Sequence, residues 1–104
     1  MITLDDAKLH LRVDHDADDG YIAELIAAAR VFIARDLARN LYDTGASIPI
    51  DDAHGIHISA DLQHAARLLI GNWYEHREAA TDAAKTEVPH AYWRLVQHYR
   101  LYGV

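Results

Sequence analysis

Between Asp18 and Asn40 the chain carries one long helical pattern that is apolar on two sides rather than one. At about 100° per residue, Ile22, Leu25, Ile26, Ala29, Phe32, Ile33 and Leu37 fall on a single broad stripe, the signature of a helix laid on a core. Opposite them lie Ala27, Val31, Ala34 and Ala38, a narrow strip of small side chains flanked by Glu24 and Arg35. The core of a small domain needs one such face. A second face, built from residues that let another helix come close, predicts either a helix sandwiched within the fold or a contact between subunits.

The rest of the pattern predicts an all-α fold of about four helices around one core. Thr3, followed by Leu4, Asp5 and Asp6, reads as an N-cap with an acidic first turn, opening a short helix through about Leu11. A polar turn over 13–20 follows, with Asp18 as the cap of the long helix, which should end near Asn40. From Leu41 to Ile58 the helical period disappears and Gly45, Pro49 and Gly55 punctuate the chain. This stretch reads as an irregular loop, or as a small hairpin pairing Ser47–Ile50 with His57–Ile58. Ser59 caps a third helix whose core stripe is Leu62, Ala65, Ala66, Leu69, Trp73 and Ala80, with Ile70 at its edge. The segment 79–88 reads as a loop. Pro89 suits the first turn of a last helix with Tyr92, Leu95, Val96 and Tyr99 on one face. With 104 residues, no repeat and no linker composition, residues 1–104 read as a single domain.

Composition excludes several kinds of chemistry. Cysteine is absent, so thiolate metal sites, disulfides and cysteine nucleophiles are ruled out. The opening residues lack the basic and apolar regions of a secretory signal, and no run approaches the roughly 20 apolar residues of a membrane span. Ten Lys and Arg face sixteen Asp and Glu, for a net charge of −6 with neutral histidines, which argues against tight binding to phosphates. It leaves room for a wall that surrounds DNA without gripping it. Eight histidines make charge, and with it association, sensitive between roughly pH 5 and 8.

Candidate motifs fail on inspection. Asp14-x-Asp16-x-Asp18 resembles the start of a calcium loop, but the sixth position is Asp19 and the twelfth is Leu25, where glycine and a bidentate glutamate are required. His54 and His57 sit in a glycine-containing loop without the helical His-Glu-x-x-His spacing of a zinc site. Ser47 and Ser59 lie in no nucleophile elbow. No catalytic residue, cofactor or metal site is therefore assigned. Asp36 falls at the edge of the core stripe, where it needs a partner, Arg77 or Arg67, or a place at the wet margin. Trp73-Tyr74-Glu75-His76-Arg77 is the densest aromatic and charged cluster. Tyr74 projects off the core stripe as an interface anchor does, and Trp93 with Arg100 forms a similar pair in the last helix.

Three blocks, in this order, resemble one family. They are Leu4-Asp5-Asp6-Ala7-Lys8-Leu9-His10-Leu11-Arg12-Val13-Asp14 leading through Asp18-Asp19 into an alanine-rich helix; Leu62 onward through Leu68-Leu69-Ile70-Gly71-Asn72-Trp73-Tyr74-Glu75-His76-Arg77-Glu78-Ala79; and Val88-Pro89 with Leu95 and Tyr99-Arg100. Together they are similar to the small head–tail connector, or head-completion, proteins of long-tailed phages. The resemblance implies an all-helical structural subunit, not an enzyme. It implies a homo-oligomeric ring of roughly a dozen copies beneath the portal protein, extending the DNA channel without sequence-specific binding and offering a platform to the tail or a head-closure protein. The place implied is the head–tail junction of the virion, reached from the host cytoplasm during assembly.

On that reading Ala27, Val31, Ala34 and Ala38 form one side of the subunit contact, with Glu24, Arg35 and Arg39 on its rim and Tyr74 beside it. Trp93, Arg94, Arg100 and Tyr102 are the candidates for the portal-facing surface, and the 41–58 loop faces the tail or the channel. The alternative is a small helical DNA-binding regulator, with short helix, turn and long helix imitating a helix-turn-helix and with Arg30, Arg35 and Arg39 exposed.

Overall fold

A computed structural model describes residues 2–76 and 89–101. Its first helix, α1 (Leu4–Leu11), starts where the sequence says it should. Thr3 Oγ1 accepts the Asp6 amide at 3.1 Å while Asp6 Oδ2 accepts the Thr3 amide at 3.3 Å, a reciprocal capping box. These bonds, backbone first, hold the Asp6 carboxyl below its ordinary value. The helix ends at Arg12, which turns left-handed at φ 59°. Among α1's residues only Ala7 is fully enclosed; Leu9 stands 81 % exposed.

The following acidic turn is a fastening. Lys8 Nζ reaches Asp19 at 2.8 Å and Asp16 at 2.9 Å, and these two carboxylates raise the lysine's pKa, Asp19 foremost. Asp18, the residue before α2 (Asp19–Leu37), makes no side-chain cap; its carboxylate accepts the Tyr74 hydroxyl at 2.7 Å. Of the three carboxylates that resembled a calcium loop, Asp16 is thus committed to a lysine and Asp18 to a tyrosine.

Ile22, Leu25, Ala29, Ile33 and Leu37 of α2 are all buried, and Ile26 and Phe32 are packed against the same core. Each large aliphatic side chain so enclosed stabilises by about 1.5–3 kcal/mol. The helix stops three residues earlier than its pattern implies. Ala38 adopts the left-handed conformation at φ 58°, its amide bonding back to Ala34 and Arg35. The turn costs about 1 kcal/mol for a residue with a Cβ. It sends Leu41 into the core at 8 % exposure.

Of the two forms expected for the 41–58 region, it takes the irregular loop rather than the hairpin. Two short strands, β1 (Leu41–Tyr42) and β2 (Ile56–His57), pair in parallel, Leu41 opposite Ile56 and Tyr42 opposite His57. Parallel neighbours need a crossover, and residues 43–55 supply it as irregular chain. Ile50, expected in a strand, is wholly exposed.

α3 (Ala60–Glu75) buries Leu62, Ala65, Ala66 and Leu69 as its spacing predicts, and Ile70 completely, because α1, α2 and α4 all pack on it. Trp73 is half-buried, and Ala80 lies outside the described residues. Ser59 precedes the helix without capping it; its hydroxyl turns to Asp61 and to the Tyr99 hydroxyl. Pro89 flanks α4 (His90–Val96) rather than entering it. Tyr92 and Val96 are fully buried and a 3-10 turn, Gln97–Tyr99, closes the described chain. The Leu101 amide donates to the Leu37 carbonyl at 3.1 Å, so the last described residue seals the end of α2. Among the described residues the architecture is mostly α, four helices around one core, with a loop between the second and third.

Candidate interaction surface

The reverse of α2 is uncovered. Ala27 and Ala38 are exposed, Val31 is 48 % exposed, and Ala34 is half-buried where it touches the margin of the core. Small side chains leave two depressions there. The larger, an open groove of about 770 Å³, is lined by Ala27, Ala28, Val31, Phe32, Arg35, Asp36 and Trp73. The smaller, about 320 Å³, lies further along, between Ala34, Arg35, Ala38 and Arg39 on one side and Asn40, Asp52 and His54 on the other. A chain that leaves an apolar groove of this kind open has a surface suited to contact.

The groove's far wall comes from α3, where Trp73 lines it. Trp73 meets Phe32 edge-on with centroids 5.9 Å apart, Phe32 meets Tyr92 at 5.6 Å, and Tyr92 meets Trp93 at 5.2 Å, each near perpendicular as ring quadrupoles prefer. Arg100 lies over Trp93 at 4.8 Å and brings its guanidinium within 2.6 Å of both Asp36 oxygens. The Tyr92 hydroxyl donates to the same carboxylate at 3.0 Å. Burial, and then the charge on Asp36, push the Tyr92 phenol well above its ordinary pKa, so it remains a neutral donor. Asp36 therefore has a partner, but it is Arg100 from the far end of the chain. Arg67 is on α3, and Arg77 lies outside the described residues.

The remaining sequence candidates are scattered. Glu24 and Arg35 are exposed beside the strip, on its rim. Arg39 is turned inward, Nε donating to the Tyr99 carbonyl at 2.6 Å and Nη1 to the His54 carbonyl at 3.1 Å. Tyr74 is half-buried, its ring 6.3 Å from Tyr21 and its hydroxyl on Asp18, so it ties α3 to the start of α2 and lines neither groove. Of the four candidates at the end of the chain, Arg94 is exposed and Trp93 half-buried. Arg100 has 23 % of its side chain exposed and is spent on Asp36, and Tyr102 lies outside the described residues. Phe32 and Trp73 were legible as core residues but not as groove walls. The available signal was the bulk of Trp73, since tryptophan is rarely buried completely; Phe32 carried none.

The arginines of α2 and of the turn after it offer little to nucleic acid. Arg30 is held by Asp43 at 3.0 Å and by the Leu41 carbonyl at 2.8 Å, which with Arg39's inward contacts leaves Arg35 as the outward cation among the three. Among the described residues, no three His, Asp or Glu side chains converge to hold a metal ion. No described helix is long and apolar enough to cross a membrane.

Comparison with known proteins agrees with the resemblance read from the three sequence blocks. Residues 1–100 match the phage gp6-like head–tail connector protein family, and the chain belongs to it. No curated protein and no solved structure matches the chain.

Proposed function

We propose that this member of the gp6-like head–tail connector family is one subunit of a homo-oligomeric ring of roughly a dozen copies, seated beneath the portal at the head–tail junction of the virion. The ring extends the DNA channel and offers a platform to the tail or a head-closure protein. One observation carries this reading. The long helix is apolar front and back, and the chain's own described residues cover its front and leave its rear open. Burying that rear against another copy recovers the solvation free energy that an isolated chain forgoes. Ala27, Val31, Ala34 and Ala38 supply the close-approach surface, with Glu24 and Arg35 at its edge. Arg94, exposed on α4, is our choice for the portal-facing side. A net charge of −6 suits a conduit through which DNA slides.

Native mass spectrometry and electron microscopy of the protein, alone and with assembled portal, test the proposal. Rings in either sample support it, and a chain that stays monomeric and ignores portal refutes it. Val31→Arg places a charge in the groove at an exposed position. The variant should keep wild-type circular dichroism and lose assembly; normal assembly would reject this interface. A salt-sensitive gel shift at modest protein concentration would instead favour the DNA-binding alternative.

A further inference from the structure

The crossover between the two short strands lacks regular structure, yet it is tied down along its length. Thr44 Oγ1 donates to the Ile58 carbonyl at 3.1 Å, and His57 Nε2 lies 2.7 Å from the Ala46 carbonyl. Asp52 accepts the Tyr42 hydroxyl at 2.5 Å and the Asn40 amide at 3.1 Å, and its own amide donates to the Pro49 carbonyl at 3.0 Å. Gly55 is packed so tightly that a Cβ would stand 2.7 Å from both Asp52 and Tyr42. On this braced loop sits Ile50, 103 % exposed, next to the exposed carboxylate of Asp51. A large aliphatic side chain held fully in water on a fixed support is an anchor without a socket. Its support has already lost the freedom that binding would otherwise remove.

The same chain carries a socket without an anchor. The α2 groove offers apolar walls in Val31, Phe32 and Trp73, has space for an isoleucine and its neighbouring Pro49, and has the exposed Arg35 at its edge. Neither Asp51 nor Arg35 forms an ion pair among the described residues. We infer that Ile50 of one copy seats in the α2 groove of the next, with Asp51 against Arg35. The occupant is a second copy because charge and shape complement each other between two different patches of one chain. Such a contact is heterologous: every subunit gives one anchor and receives one, and the series closes when the rotation permits. The inference rests on the ring reading and adds the pairing that joins neighbours.

Because the chain has no cysteine, introduced thiols report without background. Ile50→Cys chains and Val31→Cys chains carrying a mass tag are mixed, assembled alone or on portal, and oxidised with copper phenanthroline. A disulfide between chains of different mass should dominate over links between like chains, and a chain carrying both substitutions should give a ladder of covalent multimers. In parallel, Ile50→Asp should raise the concentration needed for assembly about tenfold or more with unchanged circular dichroism. Wild-type rings without the mixed disulfide, or Ile50→Asp rings at wild-type concentrations, overturn this pairing and leave the ring reading standing. Wild-type chains that never assemble overturn both.

Discussion

The two apolar faces of α2 have opposite fates. Ile22, Ala29, Ile33 and Leu37 are wholly enclosed, whereas Val31, two residues from Ala29 and from Ile33 and so on the opposite side of the helix, is half in water and Ala27 is exposed. Periodicity reports that a face is non-polar. It does not report who covers it. The front is covered by α1 and α3 of the same chain, so its energetics belong to folding. The rear is left over, and any stabilisation it provides belongs to association.

The largest effect that would separate these roles is on folding. Ile33→Ala should cost about 2–5 kcal/mol, lowering the urea midpoint sharply, while Val31→Ala should change folding by less than about 0.5 kcal/mol. Equal losses at the two sites would end the distinction between the faces. Next comes the border between them. Asp36→Ala leaves Arg100 and the Tyr92 hydroxyl without their acceptor, and should cost about 1–3 kcal/mol in the same assay. A smaller effect is expected at the loop beside the rear face. Gly55→Ala forces a Cβ into Asp52 and Tyr42 and should cost about 1 kcal/mol, with amide shifts in an NMR spectrum confined to the residues around 40–58.

The smallest effect is pH-dependent. Hydrogen bonds from Tyr42 and then Asn40 hold the Asp52 carboxyl below the ordinary carboxylate range. A lowered folded value means the stabilisation is complete above the unfolded carboxyl pKa of about 3.9 and is lost as pH falls through the folded value. Loop amides should thus be protected from hydrogen exchange at neutral pH and lose that protection selectively below about pH 4, after correction for intrinsic rates. Protection that is constant down to about pH 2 would show that Asp52 does not brace the loop.

What the sequence revealed divides along the same line between local and distant causes. Thr3 with Asp6, the front stripe of α2, the α3 stripe and the start of the last helix beside Pro89 are set by residues within one or two turns of each other, and all were readable. The end of α2 was not, because Ala38 takes a left-handed turn usually marked by glycine, and what justifies it is the burial of Leu41. The parallel pairing of Leu41–Tyr42 with Ile56–His57 has no alternation to announce it in two-residue strands. The partner of Asp36 lies 64 residues away, beyond any helical spacing. Of the candidate surface, the rear strip was visible from spacing alone. The aromatic wall beside it was not, since Phe32 and Trp73 come together only when α2 and α3 pack.

The closure of α2 by residues 99–101 has a consequence for the order of events during synthesis. The carbonyl of Leu37, the carboxylate of Asp36 and the guanidinium of Arg39 each gain a partner from this late segment. At about 5–20 residues per second, a ribosome exposes the helix seconds before it delivers the cap. Throughout that interval the nascent chain has an unfinished helix end beside an uncovered hydrophobic flank. The same three contacts that complete the monomer thereby set the earliest moment at which a finished flank exists for a neighbour to recognise.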